Sequence, residues 1–185
     1  MRLSRIRFVN IKLDDGLKII PDVTWHVNGK NGVFLLENGG GKTSFIQLAL
    51  QTILPNAPMG KRMLKDTVEK KSVGHVLTEW IVDTTEGPTR YLMLGFTFHN
   101  QQKEQSDENK KEIDALTYYN YIYEYEEDDE YRLERFPVAK NHRPAGYQEL
   151  RTFIRKHGNI YLYDRKMLYQ EALRRYKILP EEWEQ

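Results

Sequence analysis

The residues best equipped for chemistry in this 185-residue chain are Leu36-Glu37-Asn38-Gly39-Gly40-Gly41-Lys42-Thr43-Ser44. Consecutive glycines let a backbone curl so that successive N–H groups point inward at a phosphate. A lysine and a hydroxyl residue at the end of the curl can then neutralise the β- and γ-phosphates and complete a Mg²⁺ shell. The segment follows the apolar run Val33-Phe34-Leu35-Leu36 and opens onto Phe45-Ile46-Gln47-Leu48-Ala49-Leu50-Gln51-Thr52-Ile53-Leu54, which reads as a helix. Strand, glycine turn and helix in that order make a P-loop, here residues 36–44. The new helix adds the positive end of its dipole and its unpaired N–H groups. The expected ligand is a nucleoside triphosphate, with Lys42 on the β- and γ-phosphates and Thr43 on Mg²⁺. Leu36 stands where the strict consensus has its first glycine.

Asn38-Gly39-Gly40-Gly41-Lys42-Thr43 has the form N-G-x-G-K-T, which resembles the SMC, MukB, RecF and RecN group of ABC-type ATPases. Leu3–Leu13 looks like the opening strand of such heads, and Val23–Val27 like the second strand. The resemblance implies ATP and Mg²⁺ as ligands, with Asn38, Gly39, Gly40, Gly41, Lys42, Thr43 and Ser44 forming the nucleotide site. It also implies an arginine on the loop after the P-loop helix, approaching nucleotide or DNA; Arg62 stands at that place. A family glutamine contacts the metal or the attacking water, and Gln170, after the strand Ile160–Tyr163, is the candidate that joins Lys42 in a catalytic role. Gln148 is the second choice. The metal-site aspartate has only a superficial match, Asp83, with Thr84 where an ABC-type enzyme has glutamate.

A Leu-Ser-Gly-Gly-like signature is absent from the sequence. In SMC-like proteins that signature and the acidic pair lie beyond a long coiled coil. The resemblance therefore implies that residues 1–185 are the N-terminal lobe of a split ATPase head. Its partners would be the C-terminal lobe of the same head, a second head joined through ATP, DNA, and kleisin-like accessory subunits. The implied work is chromosome maintenance, DNA repair, or anti-plasmid or antiphage defence. The isolated chain is expected to bind ATP weakly and not to turn it over. Two other classes fit the motif: a self-contained P-loop phosphotransferase, and a nucleotide-gated scaffold without hydrolysis.

Bulk properties narrow the field. Thirty per cent charged and 39% apolar residues are ordinary for a globular domain, and this length can bury a core. A formal charge of +1 gives no global pull toward a polyanion, so any such contact needs a local patch. The absence of cysteine excludes thiolate chemistry and suits a cytoplasmic setting. Met1–Arg7 alternates charge with apolar residues and is no signal peptide, and no apolar run is long enough to span a bilayer. The five histidines show no metal-ligand spacing.

The remaining elements must position the loop. The helix after the glycines is apolar nearly all round and is expected to be buried, with Pro55 ending it. Residues 56–73 read as a basic connector, either a solvated loop or a face toward DNA or a partner. Val76–Asp83 and Tyr91–His99 alternate as strands joined at Glu86-Gly87-Pro88, with Leu92, Leu94, Phe96 and Phe98 on one side. Residues 100–114 read as a mobile polar loop. Thr117–Tyr125 and Tyr131–Val138 read as a second hairpin around the acidic turn Glu126–Glu130, its tyrosines half-buried. A helix over 146–157, a strand Asn159–Tyr163 and a helix capped by Asp164 and running to Tyr176 follow. Pro180-Glu181-Glu182 has the pattern of a helix start, the expected beginning of a further helix or coiled coil. The fold expected is α/β of the α+β kind, a P-loop ABC-type N-terminal lobe. It would combine a mixed sheet around the P-loop helix with an antiparallel β-meander.

Overall fold

A computed structural model describes residues 1–13, 18–30, 42–101 and 116–184. Alternation in the first segment produces β1 (Arg2–Leu13), with Ile6 and Phe8 on one face and Arg5, Arg7 and Val9 on the other. Asn10 then adopts a left-handed conformation, φ 57°, which asparagine tolerates better than most residues. Its amide donates to Ser72 Oγ (2.7 Å) and to the Val73 carbonyl (2.8 Å). Beyond this switch Ile11 and Leu13 rejoin the Ile6–Phe8 face.

β1 pairs on one side with β2 (Lys18–His26) and on the other with β3 (Val73–Val82). The meander continues through β4 (Arg90–Asn100) and β5 (Leu116–Glu126). A two-residue pair, β6 (Ala139–Lys140) and β7 (Arg143–Pro144), stands apart, and β8 (Ile160–Tyr163) closes the sheet on β5. The order is β2-β1-β3-β4-β5-β8, and every pairing among the described residues is antiparallel. The parallel component expected around the P-loop strand falls on 33–36, outside the described residues. Of the polar loop expected over 100–114, Asn100 is instead the buried last residue of β4, and 102–114 lie outside the described residues.

Helices cover both faces. α1 (Lys42–Leu50) and α3 (Lys166–Arg175) lie against Leu92, Leu94, Phe96 and Phe98, which share a side as their alternation predicts. α2 (Tyr147–Lys156) covers the other face, packing Leu150 and Ile154 against Tyr119 and Tyr121. Those two tyrosines are fully buried, deeper than the half-burial expected. Gly95 makes room for one of them: a Cβ there would come within 1.9 Å of the Tyr121 ring.

Several expectations need correction. Tyr131–Val138 is not a strand returning along β5, whose neighbours are β4 and β8. It forms successive turns that bury Leu133, Phe136 and Val138, and the Leu133 and Phe136 carbonyls accept Arg7 Nη1, each at 2.9 Å. Carbonyls aimed at a buried guanidinium cannot also face a neighbouring strand. The helix after the glycines ends at Leu50, short of Pro55, because Gln51, Thr52 and Ile53 bond three residues back in tightened turns. That helix is also not buried all round, since Ile46 is 64% exposed. Asp164 does not cap α3; Arg165 occupies the cap position without a side-chain bond, and Asp164 takes Arg151 Nη2 at 2.7 Å instead. Near the end of the chain, Pro180–Glu182 is a single 3-10 turn.

Candidate functional site

α1 begins at Lys42, directly after Gly39-Gly40-Gly41 in the sequence. Its first turn is fixed by aromatic packing. The Phe45 ring lies 4.9 Å from Phe8 and 4.7 Å from Trp25, which are themselves 5.2 Å apart. Such ring clusters add roughly 0.5–1.5 kcal/mol per pair beyond their buried area. Leu48 enters the same core one turn later. The helix is thereby held by β1 and β2, and its N-terminal end is left at the surface, where Thr43 is exposed.

Ser44, 5% exposed, turns inward beside it. Its Oγ accepts a hydrogen bond from Arg62 Nη1 at 2.9 Å. The connector makes this contact possible by a tight reversal. Met59 is buried and bridges to Arg62, and Gly60 takes φ 66° between them. Leu64, Thr67 and Val68 then anchor a 3-10 turn over Leu64–Thr67, leaving Lys61, Lys70 and Lys71 exposed. A connector read as basic and solvated thus carries its own apolar anchors.

The structure brings Thr43, Ser44 and Arg62 to one end of α1. Asn38, Gly39, Gly40, Gly41 and the side chain of Lys42 lie outside the described residues. Gln170 is elsewhere. Its neighbour Tyr169 donates to the Thr52 carbonyl, and Ala172 and Leu173 pack with Ile53 and Leu54, beyond the other end of α1. At about 1.5 Å per residue this is of the order of 13 Å from Thr43. Asp83 is also remote from Thr43: its carboxylate meets the Met1 amino group at 3.1 Å and borders a cleft of about 410 Å³ with Ile53, Trp80, Tyr176 and Trp183. Gln148 belongs to α2, on the opposite face of the sheet.

The opposite face holds polar groups that sequence reading did not single out. His75 is fully buried; its Nε2–H donates to the Ala145 carbonyl (2.9 Å), which leaves Nδ1 to accept the Thr97 hydroxyl (2.9 Å). Burial pushes the His75 pKa down from 6.5 to about 4, with a smaller push from the Arg7 charge against the raising effect of the Ala145 bond. Arg7, 4% exposed, grips Asp22 with two hydrogen bonds of 2.9 and 2.8 Å. Glu79 accepts the Tyr125 hydroxyl, which in turn accepts the Leu133 N–H at 3.0 Å. A charge or histidine inside an alternating strand is the only sequence signal for these groups. None of them reaches the α1 end, and they serve to fix the turns over 131–138 and the Ala145 region.

Among the described residues no group of three His, Asp or Glu side chains is placed to hold a metal ion, and no helix is long and apolar enough to cross a membrane. No protein-family model matches the chain, and no curated protein is significantly similar to it.

Proposed function

We propose that this chain is the ATP-binding N-terminal lobe of an ATPase head of the kind its P-loop resembles, the SMC, MukB, RecF and RecN group. The observation that carries this reading is the start of α1 at Lys42, immediately after three glycines, with Arg62 drawn back onto Ser44 in its first turn. Amides of residues 38–43 and the helix N-terminus hold the triphosphate, and the Lys42 ammonium neutralises it. Thr43 offers its hydroxyl to Mg²⁺, which takes few protein ligands and keeps phosphate oxygens and water for the rest. Arg62 supplies a second cation at the same end.

Hydrolysis needs a carboxylate for the metal and a group that orients water. A C-terminal lobe would provide these, together with the signature that a second head presents to the γ-phosphate. ATP binding then joins heads and hydrolysis releases them, coupling the cycle to DNA and to kleisin-like accessory subunits. Chromosome maintenance, DNA repair and antiphage defence all use such a cycle.

Titration with labelled Mg-ATP, with Lys42→Ala as control, tests the reading. The expected outcome is saturable binding that weakens at least about tenfold in the variant, a loss of some 1.4 kcal/mol, and no turnover by the chain alone. Turnover by the chain alone would establish the self-contained phosphotransferase instead. Binding that never leads to turnover, even with a complementary lobe, would establish the scaffold. No heat of binding with Mg-ATP ends all three.

A further inference from the structure

Between positions 140 and 177 the sequence has ten lysines and arginines but three carboxylates, within a chain of formal charge +1. The fold concentrates part of that excess at one corner. Arg151 and Arg155 of α2 both act on one carboxylate, Asp164, and Arg165 and Lys166 follow it in the chain at the start of α3. Hydrogen bonds from Arg151 hold Asp164 below the usual carboxylate range, and the charges of Arg151 and Arg155 act in the same direction. Arg151 thereby engages that acid. Arg155, Lys156, Arg165 and Lys166 are all exposed and have no ion pair among the described residues. Four exposed, unneutralised cations contribute nothing to the core and leave a local positive excess.

The edge strand between these two helices, β8, offers an aromatic surface on its α3 side. Tyr161 on β8 is 57% exposed, and two residues on, Tyr163 packs against Tyr169 on the same side of the sheet. Met167 and Leu168, 82% and 52% exposed, extend this surface from the first turn of α3. β8 is an edge strand, bonded only to β5 among the described residues. The opposite edge, β2, has Lys18, Pro21 and Asp22, the residues that blunt an edge. β8 reads Ile-Tyr-Leu-Tyr and has no such guard. Glu124, the acid facing the other end of β8, is engaged by Arg90 at 2.8 Å.

We infer that this corner binds single-stranded nucleic acid, its phosphates on Arg155, Lys156, Arg165 and Lys166 and an unpaired base on the Tyr161 ring. Cations track a backbone without regard to sequence, and an exposed ring rewards bases that are not already stacked in a duplex. The inference deepens the nucleic-acid part of the function proposed above, but its chemistry does not require the nucleotide site.

Fluorescence anisotropy of the full chain with a labelled oligothymidine of about 20 nucleotides tests it, across a potassium chloride series. Four neutralised phosphates predict a log–log salt slope of about −3. Arg155→Glu, Lys156→Glu, Arg165→Glu and Lys166→Glu combined should weaken binding at least about tenfold and flatten that slope. Tyr161→Ala alone should weaken it about fivefold or more, the lower range of a lost stacking contact. Both variants should keep the parent's melting temperature and its ATP binding, and Lys42→Ala should keep the parent's oligothymidine binding. ATP binding and strand binding thus fail separately, so loss of one proposal is distinguishable from loss of the other. No binding by the parent overturns the inference, as does indifference to the four charge reversals. A blunt duplex of equal length binding as tightly, with Tyr161→Ala unchanged, overturns it too.

Discussion

Rings without a buried charge close one face of the sheet, where Phe8, Trp25 and Phe45 meet, whereas the other adds hydrogen-bonded polar groups to its rings, where Arg7, His75, Glu79 and Tyr125 lie. The difference is one of directionality. Apolar contact is roughly proportional to area and sets no single bond, so α1 is seated firmly while its N-terminal end stays open to solvent. Buried polar groups must each find a partner at a defined distance and angle, so they lock the turn segment over 131–138 in place. The face proposed to bind ligand is thus the one built without buried ions.

The contrast is most sharply tested at Arg7. Arg7→Met leaves the half-buried Asp22 and the buried Leu133 and Phe136 carbonyls without their donor, and stranding these acceptors together costs about 3–5 kcal/mol. Urea unfolding should show that loss while ATP affinity of the folded fraction is unchanged. A loss below about 1 kcal/mol would mean that the polar face is not what holds the turns.

Next in size is the pH dependence of the same face. Folded His75 titrates near 4 and its unfolded counterpart at 6.5, so between those values the unfolded chain binds more protons. Stability from this residue is therefore complete above pH 6.5 and falls as pH drops through the window toward 4, by up to about 3 kcal/mol. Denaturant unfolding at pH 7.5 and 4.5 measures it. His75→Phe should be less stable at neutral pH and lose that part of the pH dependence. An unchanged pH profile would show that His75 is not buried neutral.

The smallest expected effect is on the apolar face. Arg62→Ala removes one partly exposed bond to Ser44 and should cost about 1 kcal/mol or less in unfolding, yet weaken ATP several-fold because a cation leaves the phosphate end. Equal binding by parent and variant would reduce Arg62 to a brace for Ser44.

Much of the fold was legible in local pattern. Alternation placed Leu92, Leu94, Phe96 and Phe98 on one side, and the run Gly39-Gly40-Gly41-Lys42 announced a helix start that α1 bears out. The candidate site was legible only in part. Arg62 is eighteen residues from Ser44, and nothing in its neighbourhood foretold that Gly60 would turn it back. Gln170 and Asp83 were matched by position along the chain, and the packing of Tyr169 on Thr52 and the pairing of Asp83 with Met1 put both away from Thr43. The cations of α2 and α3 carried no sequence signal of their own, and it is β8, packed against both helices, that brings them to one edge of the sheet.

By itself the sequence determined the strand periodicity, the glycine run before Lys42 and the surplus of charge after residue 140. Each of these follows from neighbouring residues, because backbone sterics and side-chain alternation act over a few positions. Only the tertiary structure decided which distant groups meet, such as Arg7 with Leu133 and Phe136, Arg62 with Ser44, and Arg151 with Asp164. Those meetings depend on where the chain reverses and in what order its strands pair, and burial energy summed over the whole sheet sets that order.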